Sequence, residues 1–197
     1  FPHNVLDFWL GPKNAPDFGK RRSIWFESTE AEDLEICDKF LATYEKAAVG
    51  ELDDHKETIA GCLGLIITLD QLPCNMFRAT PRSFATDEQA LNYARIAIEC
   101  GYDRNFPPLV RMFFYLPFEH SECLEDQRQC VELVQALPDY QDKPRNLKFA
   151  RRHLEIIERF GRFAHRNDIL GRSSTMEEIE FLKEPDSSFI WPKNRQK

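Results

Sequence analysis

The sequence predicts an all-α protein. Three observations carry that reading. Apolar residues recur at helical spacing along most of the chain. Helix-start pairs, a Ser or Thr with Glu or Gln three residues on, recur at Thr29, Thr86, Ser174 and Thr175. No segment alternates Val, Ile and Thr as a half-buried strand does, and no Asn-Gly or Asp-Gly dipeptide marks a hairpin. Helices joined by short loops favour antiparallel neighbours, so the predicted shape is a stack of helical hairpins, as in solenoids.

The elements follow in order. Phe1–Leu10 is a short amphipathic helix stopped by Gly11-Pro12, and a turn-rich loop runs to Gly19. Trp25-Phe26 belongs to a short helical turn. Thr29 and Glu32 form a capping box, after which Leu34, Cys37, Phe40, Leu41, Tyr44 and Ala48 fall on one face up to Gly50. Asp53 or Asp54 caps the next helix, which runs to Leu72 and is closed by Pro73. From Ile59 to Leu69 it is almost wholly apolar, so it is buried on most sides. Gly61 and Gly64 weaken it as a helix, and close approach of a neighbour explains them.

Thr86 starts a third long helix, ended by Gly101. Pro107-Pro108 open a fourth, with Leu109, Met112, Phe113 and Leu116 inward, broken by Pro117. Ser121 caps a fifth, with Glu122, Glu125 and Asp126 in its first turn, where acids suit the helix dipole. A sixth runs from Arg145 to Ala164, and a last short one starts at Ser174 or Thr175. The whole, 1–197, reads as one domain with an irregular tail over 183–197, where Trp191 is a docking anchor.

Composition narrows the function. The 197 residues are 42% hydrophobic and 30% charged, which is globular. The net charge of −7 argues against a nucleic-acid partner. No run approaches 18 consecutive apolar residues, so no membrane span is expected. Six cysteines without a Cys-x-x-Cys pair read as free thiols in a reducing, cytoplasmic setting. A homodimer through exposed aromatics, such as Trp25 or Trp191, stays open.

Four places concentrate chemistry. On the sixth helix His153 falls inside the apolar arc, where a buried imidazole needs a partner. From Arg145 to Arg172 the chain carries eight basic residues against three acids. Arg152, Arg162 and Arg166 there are candidate clamps for an anion, since guanidinium forks suit carboxylate and phosphate. At the end of the fourth helix stand Glu119, His120 and Glu122, and His165 and Asn167 flank the end of the sixth. Asp70 and Gln71, with Asn75, close the most apolar helix. A polar pocket of His120, Glu119, Glu122, His153, His165 and Asp70 fits a helical stack. No metal site is expected, because Glu-x-x-His and His-Glu-x-x-His are absent. No Gly-x-Ser-x-Gly and no phosphate-binding glycine loop occur, so neither an acyl-transfer serine nor a nucleotide cofactor is expected.

Several longer motifs share one likeness. Val5-Leu6-Asp7-Phe8-Trp9, Leu69-Asp70-Gln71-Leu72-Pro73, Phe84-Ala85-Thr86-Asp87, Tyr115-Leu116-Pro117-Phe118-Glu119-His120-Ser121-Glu122, and Arg159-Phe160-Gly161-Arg162-Phe163 with His165-Arg166-Asn167 resemble the bacterial domain of unknown function 924. The likeness runs from about Val5 to Leu182. It implies a helical fold similar to tetratricopeptide-repeat proteins, with a right-handed superhelix, and no activity. The family usually has Arg where Cys74 stands and Pro where Ala164 stands. Ala164 leads us to expect the sixth helix to run on toward His165.

Three functions remain open from the residues. The first is binding of a peptide or small anionic ligand in a His/Arg/Glu-lined groove. The second is an acid/base hydrolase or lyase using His120, His153 and His165 with Glu119 and Glu122. The third is a structural or assembly module.

Overall fold

The computed structural model describes residues 1–185 and 187–189; Trp191 lies outside them. Every regular element among the described residues is helical. The helices are α1 (His3–Leu10), α2 (Glu30–Ala48), α3 (Ile59–Ile66), α4 (Leu72–Met76), α5 (Asp87–Glu99), α6 (Pro108–His120), α7 (Leu124–Ala136), α8 (Lys143–Phe160) and α9 (Met176–Phe181). A π-turn, Ile67–Gln71, joins α3 to α4 without a break.

Consecutive helices pack on one another: α5 on α6, α6 on α7, and α7 on α8. The apolar α3 lies in the middle, against α1, α5 and α6. It packs closely enough that a Cβ at Gly61 would sit 2.1 Å from the His55 carbonyl oxygen, and one at Gly64 would sit 2.6 Å from Pro2. The stretch Ile59–Met76 has the length and apolarity of a membrane span, with mean hydropathy 1.3 over 18 residues, but 78% of it is buried inside this protein. The main core joins α1 to α7 and the start of α8. A satellite core of Ile156, Ile157, Phe163, Ala164 and Phe181 ties the end of α8 to α9, with Phe189 packed on it.

The capping boxes fall at Thr29–Glu32 and at Thr175–Glu178. Other boundaries differ from expectation. Asp53 and Asp54 start a 3-10 turn, Asp53–Glu57, and Thr58 caps α3. Pro73 does not close that helix; it sits in the first turn of α4. Pro117 is carried inside α6, which continues to His120. Cys123, not Ser121, precedes α7; Ser121 Oγ accepts from Cys123 N at 3.1 Å and donates to Asp126 at 2.7 Å. The end of α8 comes at Phe160, where Gly161 takes a left-handed conformation (φ 66°), so Ala164 does not extend it. On α2 the buried face is Ile36, Phe40, Tyr44 and Ala47, while Leu34 is 62% exposed. Trp25 is not an exposed dimer anchor: it is buried and its Nε1 donates to the Trp9 carbonyl at 2.6 Å. All six cysteines are free.

Candidate functional site

The site begins with the π-turn. A π-turn widens the helical ring by one residue and is frequent where function needs a displaced side chain. Pro73 has no N–H to offer the Leu69 carbonyl. Thr86 supplies the donor instead, its Oγ1 bonding that carbonyl at 2.6 Å. Asp70 sits in the turn, fully buried. One carboxylate oxygen accepts from Gln71 Nε2 at 2.5 Å, and the other faces His120 Nδ1 at 2.7 Å.

His120 is the last residue of α6. Gln127, buried in α7, donates to the Glu119 and Ser121 carbonyls at 2.6 and 2.7 Å and so holds this helix end in place. Burial lowers the affinity of the His120 ring for a proton, but the facing Asp70 outweighs it and raises the pKa to about 8. The ring is therefore protonated at neutral pH. Its Nε2 makes no hydrogen bond among the described residues.

Glu119, beside it, is 5% exposed, and burial pushes its carboxyl up to about 7. His153 on α8 lies within reach: Nδ1 is 2.9 Å from the Phe149 carbonyl and 3.3 Å from Glu119 Oε1. A carbonyl only accepts, so Nδ1 carries the proton and Nε2 is bare. Burial holds the His153 pKa well below the usual histidine range. His165 is likewise held down to about 3, by burial first and then by the neighbouring Arg166. Arg166 is 9% exposed and pairs with Asp87 at 3.0 Å. Its guanidinium lies 4.5 Å from the Phe84 ring and 4.8 Å from the Phe163 ring. Burial pushes Asp87 up to about 6, against the pull of Arg166.

Two cavities meet at His120. The larger, about 260 Å³, has walls of Trp25, Leu109, Met112, Phe113, Leu116 and Phe149. The buried Glu119 and His153 line it too, with the half-buried His120, Arg145 and Arg152 and the exposed Lys148. The smaller, about 110 Å³, is lined by Arg78, Asp87, His120, His165 and Arg166 with Cys74, Ser83 and Phe84. Phe189 lines both.

The structure thus brings together Asp70, Glu119, His120, His153, His165, Arg152 and Arg166, with Gln71 behind Asp70. The other candidates lie elsewhere. Asn75 donates to Ser28 and Asp33 at 2.8 Å, in a cluster that Arg78 completes. Glu122 accepts from Phe163 N at 2.8 Å and from both ends of the Arg172 guanidinium at 2.7 and 2.9 Å. Arg162 makes a two-pronged bond to Glu178 at 2.7 and 2.8 Å. Asn167, fully buried, joins Ser174 to Arg172. Sequence reasoning missed Asp87, Arg145, Phe149 and Phe189. Phe189 had one signal, the apolar Phe189-Ile190-Trp191 run in a polar tail.

Fold and site define an all-helical protein with a charged, aromatic-walled cavity between its helices. The chain belongs to the bacterial family of proteins of unknown function DUF924, whose profile matches residues 5–186. It is similar to a solved structure of the protein of unknown function ATU0120 from Agrobacterium tumefaciens, at 39% identity and a TM-score of 0.79. That match covers 91% of this chain and 95% of the other. No curated protein matches.

Proposed function

We propose that this protein binds a small amphipathic anion in the larger cavity. One observation carries the reading: the walls are apolar and aromatic, while among the described residues the half-buried Arg145 and Arg152 and the exposed Lys148 that line the cavity are all basic. An apolar body fits the walls and an anionic end suits the basic side. A volume of about 260 Å³ is that of a small-molecule site rather than of a peptide groove. A second reading, an acid/base hydrolase or lyase, is favoured by His120 and Glu119. They titrate near neutrality side by side, one able to give a proton and one able to take it.

The test is calorimetric titration with octanoate, phenylacetate and the corresponding alcohols. The acids are expected to bind more tightly than the alcohols. Arg152→Glu is expected to weaken the acids by about tenfold or more, a change of roughly 1.4 kcal/mol. Affinity should fall between pH 6 and 9, because Glu119 gains a negative charge near 7 and His120 loses a positive one near 8. Equal binding of acids and alcohols, unmoved by Arg152→Glu, would sink the proposal.

A further inference from the structure

Residues 187–189 lie across the site. Ser187 is buried and donates to the Leu182 carbonyl at 3.1 Å. Two residues on, the Phe189 ring stacks on the His153 imidazole, with centroids 3.6 Å apart and planes 14° from parallel. The rings of His165 and Phe163 meet it edge-on at 5.5 and 6.4 Å. This is a slot shaped for one flat ring. Among the described residues, Phe189 and His120 line both cavities, so the phenyl ring stands as the partition between them.

A phenyl ring is an incomplete match to that slot. It stacks, but it has nothing polar to offer. His165 Nδ1 and Arg166 Nε are buried without a hydrogen-bond partner among the described residues. The Nε2 atoms of His120 and His153 make no hydrogen bond there either. Buried polar atoms left unpaired, as His165 Nδ1 and Arg166 Nε are, cost free energy that an occupant with a hydroxyl or ring nitrogen can return.

We infer that Phe189 is an internal stand-in for the ligand's ring, and that the ligand is an aromatic carboxylate whose ring carries a hydrogen-bonding group. The inference rests on the amphipathic-anion reading and narrows it. The ring would take the slot against His153, with its polar group toward His165 and Arg166. The carboxylate would extend into the larger cavity toward the basic side. Phe189 must leave for that ring to enter, so the tail competes with the ligand.

The full-length chain and its Phe189→Ala variant are titrated with 4-hydroxyphenylacetate, phenylacetate and octanoate. Phe189→Leu, which keeps apolar bulk and loses the ring, serves as a second variant should Phe189→Ala fold poorly. Removing the ring is expected to tighten 4-hydroxyphenylacetate by about tenfold or more, to tighten phenylacetate less, and to leave octanoate nearly unchanged. A tenfold gap between the hydroxylated and plain aryl acids is the size one buried hydrogen bond supplies. Octanoate gaining as much as the aryl acids, or no acid gaining at all, overturns this inference while leaving the amphipathic-anion reading in place. Failure of all three acids to bind any of the proteins overturns both.

Discussion

Asp70 and His120 stand 50 positions apart in the chain and 2.7 Å apart in the fold. Their pairing gives the site its charge. Both residues were visible in the sequence as polar groups at the inner ends of apolar helices, but their contact was not, because it depends on the π-turn. His153 was visible too, and its buried side has an ordinary explanation in the Phe149 carbonyl. What sequence could not supply was its stacked partner, Phe189. The dyad is directly testable. A histidine whose pKa rises from 6.5 to about 8 adds stability that is complete below pH 6.5 and is lost as pH rises through 8. The ring is about one-fifth exposed, and the full linkage is about 2 kcal/mol. In Asp70→Asn the burial effect loses its main opponent, so the His120 pKa is expected to fall below 6.5. NMR titration of the imidazole carbon-bound protons reads this directly, and a ring still titrating near 8 in the variant would contradict the dyad.

At the scale of the element, α3, the π-turn and α4 form one continuous path from Ile59 to Met76. Its apolar character was legible, and so was the close packing implied by its glycines. Its ends were not. Proline read as a stop at Pro73 and Pro117, yet both lie inside helices. At Pro73 the structure replaces the missing donor with Thr86, a residue 17 positions from Leu69 whose hydroxyl the local pattern assigns to the start of α5, where it makes no cap bond. At the end of α8 the stop signal was Gly161, which outranked the missing proline at 164 because a left-handed residue terminates a helix directly. Gly61 provides the element's test. By propensity alone, Gly61→Ala should stabilise the helix by about 1 kcal/mol. The added carbon would instead meet the His55 carbonyl oxygen at 2.1 Å, and that backbone is held by the turn Asp53–Glu57. Gly61→Ala is therefore expected to cost about 2–4 kcal/mol, on the order of 5–15 °C in melting temperature for a chain of this size. A thermal melt decides the sign, and a higher melting temperature would show that this turn yields easily.

Across the whole molecule the basic stretch 145–172 was plain as a charge count, and its partners were not. Arg159 pairs with Glu177, Arg162 with Glu178, Arg166 with Asp87 and Arg172 with Glu122, at 2.9, 2.7, 3.0 and 2.7 Å. Such pairings join positions 16 to 79 residues apart, so spacing along the chain does not reveal them. The buried titratable groups are balanced in a similar way. His153 and His165 are kept neutral when folded, so below pH 6.5 the unfolded chain takes up protons that the folded one refuses, and stability falls with acidification. Glu119 and Asp87 act in the opposite sense. Folded, they take up protons near pH 7 and 6; unfolded, they do so only near 4.5 and 3.8, so acidification favours the fold between those values. Between about pH 4.5 and 6 the two pairs oppose each other. Below about pH 4 these two carboxyl contributions are complete and the loss at His165 continues to about pH 3, which predicts a late acid collapse. Glu119→Gln removes one side of the balance and keeps the shape of the side chain. Between pH 6 and 4.5 its unfolding free energy is expected to drop by about 1.4 kcal/mol per pH unit more than that of the wild type. Urea unfolding at four pH values in that window measures the difference, and parallel profiles for the two proteins would show that Glu119 is not held protonated by its burial.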